Sequence, residues 1–255
     1  MAKHIRDHAV EQGHTALAKI GKSGLHNILS QNKIKPHKTK YYLERRDSEF
    51  EEKMAQVITV YKEVQQTLEE TAQLKETVLS FDEKPGIQAI EHTAPELPPV
   101  PGKHPAWGRD YEYKRHGTLS LLAGIDLYDG HILGIVRDRH RSAEFIEFLS
   151  LADNYYPIEW RIRIILDNHS SHISKETMQW LKNKPNRFEF VYTPKHGSWL
   201  NLIEMFFSKM TRAFLRSLRV KSKDELKKRI EKYLDEVNAD PVVFKWTYKL
   251  EEIKV

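Results

Sequence analysis

TLSLLAGIDLYDGHILGIV, residues 118–136, is the stretch of this 255-residue chain that decides its fold. It contains two apolar runs, 118–127 and 132–136, which are rich in Leu, Ile and Val and have the length of single strands. Asp129 and Gly130 between them form a dipeptide typical of tight hairpin turns, because glycine tolerates a positive φ. The stretch therefore predicts two antiparallel strands joined by a short turn.

The sequence on both sides adds further elements to this hairpin. Periodicity predicts strands at 77–82, 161–167 and 188–193, and helices at 142–153, 174–183, 199–216 and 223–237. Five prolines between residues 95 and 105 predict that 85–117 is a long loop. The order from residue 77, β-β-β-α-β-α-β-α-α, predicts an α/β fold with a mixed sheet flanked by helices. It is the element order of a ribonuclease H-like fold.

Two helical segments precede this region. Short helices at 5–19 and 24–31, followed by a basic flank, predict a partial helix-turn-helix module over 1–47. Apolar residues at near-heptad spacing predict a linker helix over 48–76, and we expect it to pack on its own chain rather than in a dimeric coiled coil. The remaining residues, 77–255, form the third predicted domain.

Charge and composition narrow the classes of function. Residues 1–50 hold ten basic and five acidic residues, so the whole formal charge of +5 lies there and the other 205 residues are neutral. A basic terminal module often binds nucleic acid, and a solvated basic surface is the alternative. The chain has no Cys, which excludes disulfide scaffolds, thiolate metal sites and a cysteine nucleophile. Without an apolar run of membrane-spanning length or a signal peptide, we expect a cytoplasmic protein.

Three carboxylates occupy positions that suggest chemistry. Asp82 and Asp167 end predicted strands one and four, and Glu204 lies early in the helix after strand five. If strands one and four are neighbours, these acids cluster at one edge of the sheet, where α/β proteins bind ligands. Oxygen ligands select Mg²⁺ or Mn²⁺, and two such ions can catalyse phosphoryl transfer. A strand-end Asp can instead be a turn residue. Apolar neighbours predict that Glu204 is buried and needs a partner.

Four motifs carry a resemblance to a known family. They are FDEKPGIQA at 81–89, YKRHGT at 113–118, LDN at 166–168 and SWLNLIE at 198–204. They resemble the DDE transposases of bacterial insertion sequences, in the group related to Tc/mariner transposons. YYLERRD at 41–47 and Asn238-Ala-Asp-Pro extend the resemblance over nearly the whole chain.

The resemblance implies a function and its residues. Asp82, Asp167 and Glu204 would be the catalytic triad that binds two Mg²⁺ or Mn²⁺ ions in a ribonuclease H-like domain. A metal-activated water would cut DNA at a transposon end, and the freed 3′-hydroxyl would attack target DNA, typically at a TA dinucleotide. The implied protein is a bacterial homodimer associated with the nucleoid.

Basic and polar residues are further candidates for contacts to DNA. We predict such contacts for Lys22, Lys33, Lys35, Lys38, Lys114, Arg115, Arg137, Arg139, Asn168, Lys195, His196 and Asn201. His169 and His172 could suggest a zinc site, but a polar loop is favoured for them. Family members usually carry two helix-turn-helix units, and this chain shows only the second. A truncated or repurposed copy that only binds DNA or oligomerises, and a nuclease for RNA–DNA hybrids, are therefore the alternatives.

Overall fold

The computed structural model describes residues 1–36, 38–39, 47–70, 74–244 and 246. Its chain divides into two compact units, Met1–Glu44 and Arg45–Lys254. None of the helices in the described ranges is both long and apolar enough to cross a membrane. The motif residues 41–46, residues 71–73 of the predicted linker helix and residues 247–255 of the predicted third domain lie outside the described residues.

In the described residues of the small unit there are two α-helices and one 3₁₀ turn. They are α1 (Ala2–His8), the turn Thr15–Leu17 and α2 (Lys22–Gln31). The predicted single helix over 5–19 is wrong, because α1 ends at His8 and Gly13 adopts a φ of +77°. Helix α2 begins two residues earlier than predicted. The predicted role of this unit in DNA binding stays a prediction.

Helix α3 (Phe50–Glu70) belongs to the larger unit. Its apolar face is buried there, through Phe50, Met54, Val57, Ile58, Val60, Tyr61 and Val64. The Tyr61 hydroxyl donates a hydrogen bond of 2.6 Å to the carbonyl of Leu200, which ties the helix to the segment before Glu204. The prediction that this helix reaches residue 76 is wrong, because Glu76 already begins a strand.

Five strands form one mixed sheet, and this confirms the predicted architecture. They are β1 (Glu76–His92), β2 (Tyr113–Asp126), β3 (Ile132–Arg137), β4 (Arg161–Leu166) and β5 (Phe188–Tyr192), in the order β3-β2-β1-β4-β5. The pairs β1–β2 and β2–β3 are antiparallel, whereas β1–β4 and β4–β5 are parallel. The sheet therefore joins the predicted hairpin to two parallel strands.

The predicted loop over 85–117 is wrong at both ends. Strand β1 continues to His92 and β2 begins at Tyr113, so the two strands pair as a ribbon beyond the sheet. Pro85 and Gly86 fall at a shift in the pairing register between Lys84 and Ile87. An irregularity of this kind accepts a proline without loss of a hydrogen bond between the strands. Pro85 and Gly86 therefore do not end the strand, although residues of these types usually do.

Four α-helices follow the hairpin in the described part of the larger unit. They are α4 (Ser142–Tyr155), α5 (Lys175–Lys182), α6 (Ile203–Met210) and α7 (Lys223–Asn238). Phe145 and Phe148 of α4 belong to the same buried cluster as Leu79 and Phe81 of β1. Because side chains alternate along a strand, Ser80 and Asp82 point to the opposite face of β1, toward α6. This alternation places Asp82 outside the apolar core.

Candidate active site

Asp82 and Asp167 come from neighbouring parallel strands. The register of β1 with β4 pairs Ser80 with Ile165, so the two acids, each two residues further on, fall side by side at one edge of the sheet. Asp82 does not end its strand as predicted, since β1 continues to His92. It lies just beyond the point where the pairing with β4 stops. The predicted juxtaposition therefore arises from the parallel pairing.

Glu204 is the second residue of α6 and faces solvent. The buried face of this helix is formed by Ile203, Phe206, Phe207 and Met210. The prediction that Glu204 is buried is thus wrong, because its apolar neighbours in sequence point to the other side of the helix. The predicted single helix over 199–216 is also wrong. It consists of a 3₁₀ turn (Ser198–Leu200), α6, and a π-helical turn (Thr211–Leu215).

Asn201 connects the start of α6 to β1. It is 2% exposed, and its Nδ2 donates hydrogen bonds to the Phe81 carbonyl (2.7 Å) and to Oδ2 of Asp82 (3.2 Å). Its Oδ1 accepts a hydrogen bond from the Ser80 hydroxyl. A buried amide with these three partners orients Asp82 and fixes the origin of the Glu204 helix. The predicted contact of Asn201 with DNA stays a prediction.

The acids act on one another electrostatically. Burial raises the pKa of Asp82 to about 7, opposed by a hydrogen bond from the Glu83 N–H and reinforced by the charges of Glu83, Asp167 and Glu204. A carboxyl group that is half protonated at neutral pH is one that a cation would stabilise in its charged form. The three predicted residues supply only oxygen ligands, which fits Mg²⁺ or Mn²⁺.

His172 is a residue of this site that the sequence prediction missed. It is buried, its Nε2 lies 3.0 Å from Oε1 of Glu83, and its Nδ1 lies 3.0 Å from the carbonyl and 3.2 Å from Oδ1 of Asp167. Burial lowers the pKa of His172, but the contacts with Asp167 and Glu83 outweigh burial and raise it to about 10. As predicted, His172 lies in the loop before α5, but its side chain is buried instead of facing solvent. The sequence feature that could have indicated this contact is the position of His172, five residues after Asp167.

A second group of ligand-type atoms overlaps this site. Glu83, His169 and His172 each offer one atom within 4.8 Å of the others. However, a histidine that is protonated between two carboxylates has no lone pair to donate to a metal. His172 therefore suits a role as a support for the neighbouring carboxylates better than that of a metal ligand.

The predicted DNA contacts fall into different environments. Exposed side chains in the described ranges include Lys22, Lys33, Lys35, Lys38, Lys114, Arg115, Arg139, Lys195 and His196. Arg137 forms an ion pair with Glu147, with 2.8 Å between Nε and Oε2, so its charge is partly neutralised. The Asn168 amide donates to the Thr193 carbonyl (2.7 Å) and links the ends of β4 and β5. This bond gives Asn168 a structural role, and its predicted contact with DNA stays a prediction.

Comparisons with known proteins agree with this geometry. A family model described as DDE superfamily endonuclease matches residues 77–227, more than half of the chain. An uncharacterized 39 kDa protein of the insertion element IS630 from Shigella sonnei is 30% identical over 100 residues. Those residues cover 39% of this chain and 29% of that relative, so the match spans less than a third of its length.

Solved structures of the Mos1 mariner transposase share the fold. The paired-end complex with Mg has a TM-score of 0.58 at 15% identity and covers 95% of this chain and 73% of that one. The paired-end complex with Mn has a TM-score of 0.56 at 14% identity, with 85% and 64% coverage. The strand transfer complex has a TM-score of 0.54 at 15% identity, with 95% and 71% coverage. These likenesses confirm the predicted ribonuclease H-like fold.

Proposed function

This chain belongs to the family of DDE superfamily endonucleases, and on that premise we propose that it is a transposase that cleaves and transfers DNA strands. The observation that carries the proposal is the parallel register that sets Asp82 beside Asp167, with Glu204 near enough for its charge to raise the pKa of Asp82. The relative from an insertion element supports the same function.

The proposed cofactors are two Mg²⁺ or Mn²⁺ ions held by Asp82, Asp167 and Glu204. The donor set fits them, because three carboxylates provide hard oxygen ligands and their mutual repulsion needs a counter-charge. When bound, such ions polarise the scissile phosphate and activate the attacking hydroxyl for in-line displacement. The metal-bound Mos1 complexes support divalent metal use in this fold.

The other residues of the site would prepare the carboxylates for this chemistry. Asn201 donates a hydrogen bond to one oxygen of Asp82 and the Glu83 N–H donates one to the other, so the carboxylate is held in a fixed orientation. His172 fixes Asp167 through two contacts and compensates the charge of Glu83. Lys195 and His196 follow β5 and precede α6, on the loop that leads into the site, and we propose that they contact the phosphate backbone.

The proposed substrates are the transposon ends and a target DNA, typically at a TA dinucleotide, and the proposed assembly is a homodimer in the bacterial cytoplasm at the nucleoid. The Mos1 paired-end and strand transfer complexes support a role in joining two DNA segments. We propose that the basic small unit binds DNA through its exposed lysines and that Lys114, Arg115 and Arg139 of the larger unit follow the backbone.

A nicking assay tests the proposal. Supercoiled plasmid is incubated with the protein and Mn²⁺, and wild type is compared with Asp82→Asn, Asp167→Asn and Glu204→Gln. The matched control is Glu176→Gln, an exposed glutamate in the first turn of α5. We expect each triad variant to lose cleavage at least 100-fold and the control to retain it. Retained cleavage in Asp167→Asn refutes the proposed site. If wild type binds DNA without cutting it, the protein is the binding-only copy.

A further inference from the structure

A groove runs along α6 beside the carboxylates. It encloses about 480 Å³. We call it the α6 groove and define it by Trp199, Met205, Lys209, Arg212, Phe244 and Trp246. Glu204 and Asn201 also line it, so the groove opens directly onto the proposed catalytic site.

We propose that the α6 groove binds an unpaired nucleotide adjacent to the scissile phosphate, with the base against its aromatic wall and the following phosphates on Lys209 and Arg212. This inference rests on the proposed function, and it names the form of DNA that the site accepts. A single strand fits better than a duplex, because a flat base can enter a groove of this volume when it is not paired.

The wall of the groove consists of ordered aromatic rings. Trp246 stacks on Tyr61, with 5.2 Å between ring centroids and 14° between planes, and its ring lies 6.2 Å from that of Trp199 at 30°. Tyr61 is held in turn by its hydrogen bond to Leu200. Rings that are already oriented lose little freedom when a base packs against the groove, which favours binding by stacking.

The solvent face of α6 adds apolar and basic groups to this wall. Met205 is 49% exposed although it is a large apolar residue one position after Glu204. Glu204, Ser208 and Arg212 follow one another at intervals of four residues, and Lys209 is four residues after Met205, so all five share one side of the helix. The side therefore changes from acidic at the catalytic end to basic at the other end.

The spacing of these charges suits a DNA strand. Lys209 lies five residues after Glu204, or about 7.5 Å along the helix axis, so a strand held at Glu204 has only a short distance to span to reach it. Within the described part of the chain, Lys209 and Arg212 have neither an ion pair nor a hydrogen bond, and both are exposed. A phosphodiester held at the carboxylates would bring the next phosphates to these two side chains.

Binding of a labelled ten-nucleotide oligothymidylate, measured by fluorescence anisotropy in EDTA, tests the inference without the metal-dependent reaction. We expect Trp199→Leu to weaken binding roughly 5- to 150-fold, as loss of base stacking does, and Trp199→Phe to retain it. The double variant Lys209→Gln/Arg212→Gln should reduce the slope of log K against log salt by about 1.4. The matched control is Lys228→Gln/Arg229→Gln, two exposed basic residues of α7, and its slope should fall by less.

Two comparisons separate this inference from the proposed function. Asp167→Asn should bind the oligonucleotide in EDTA at least as tightly as wild type, because it removes a negative charge, and should lose cleavage, whereas the groove variants should discriminate less between oligothymidylate and a blunt ten-base-pair duplex. Unchanged oligonucleotide binding in both groove variants overturns the inference, and so does an equal loss of single-stranded and duplex binding, which indicates only a basic surface. If wild type cuts no DNA but the groove variants behave as expected, the proposed function is refuted, whereas the inference that the α6 groove binds an unpaired nucleotide is supported.

Discussion

Replacing His172 by Leu tests how the candidate site is supported. The substitution keeps an apolar volume similar to the ring but removes both contacts to carboxylates, at 3.0 Å from Glu83 and 3.2 Å from Asp167. Removing one partner of a buried ion pair costs about 3–5 kcal/mol. The Glu83 side chain is only 7% exposed, but that of Asp167 is 45% exposed, so solvent screens the second contact. We therefore expect a loss of about 3 kcal/mol in the free energy of unfolding.

The loss should depend on pH in a defined direction. Because the folded-state pKa of His172 is raised from 6.5 to about 10, its charge stabilises the fold fully below pH 6.5, and this contribution disappears as the pH rises through about 10. The difference in the free energy of unfolding between wild type and His172→Leu should accordingly become smaller as the pH rises from 6.5 to 10.

Urea unfolding in EDTA measures both effects without interference from metal binding. His169→Leu is the matched control, because His169 lies in the same loop, is exposed and bonds to the Ser171 hydroxyl instead of a carboxylate. It should change stability by less than about 1 kcal/mol. A loss in His172→Leu no larger than in this control, or a difference that stays constant with pH, would refute the idea that a charged His172 supports the two acids.

Three further substitutions test the framework around the site. Asp126→Ala should cost about 1–3 kcal/mol in urea unfolding, since this buried carboxylate accepts hydrogen bonds from two hydroxyls and one N–H, and a loss within error would contradict that. Gly124→Ala should cost about 1–3 kcal/mol and lower the melting temperature, because a Cβ there would lie 2.9 Å from Phe148 Cζ; an unchanged melting temperature would show that the ring moves aside. Although burial opposes it, hydrogen bonds from Lys184 and Arg187 hold the pKa of Asp153 below its ordinary value. Its contribution is therefore present above a pH of about 3.8 and lost as the pH falls through the lower folded-state pKa, so Asp153→Asn should flatten the acid side of the stability curve, and an unchanged curve would contradict this sign.

The sheet was predictable from sequence because its signals are local. The turn at Asp129 and Gly130, the apolar run before Asp167 and the alternation with helices define the five strands and their order of appearance. The ribbon formed by the ends of β1 and β2 was not predictable in this way. Pro85 and Gly86 interrupt its sequence, and only the pairing between the two strands shows that its residues are extended.

The acids of the site were predictable, whereas their surroundings were not. Asp82 and Asp167 follow apolar strand residues, which is a pattern visible in the chain itself. His172 contacts Glu83, which lies 89 positions away in the sequence, and Asn201 contacts residues that lie 119 to 121 positions away. No local sequence pattern indicates contacts over such distances. The face on which Glu204 lies depends on where α6 begins, and the sequence alone misplaced that start.

Anomalous scattering from crystals soaked with Mn²⁺ tests the central claim most directly. We predict manganese peaks bound by carboxylate oxygens of Asp82, Asp167 and Glu204, with His172 still in contact with Glu83. Peaks bound instead by Glu83, His169 and His172, or no peak at the triad at a concentration that supports DNA cleavage, would contradict the proposed site.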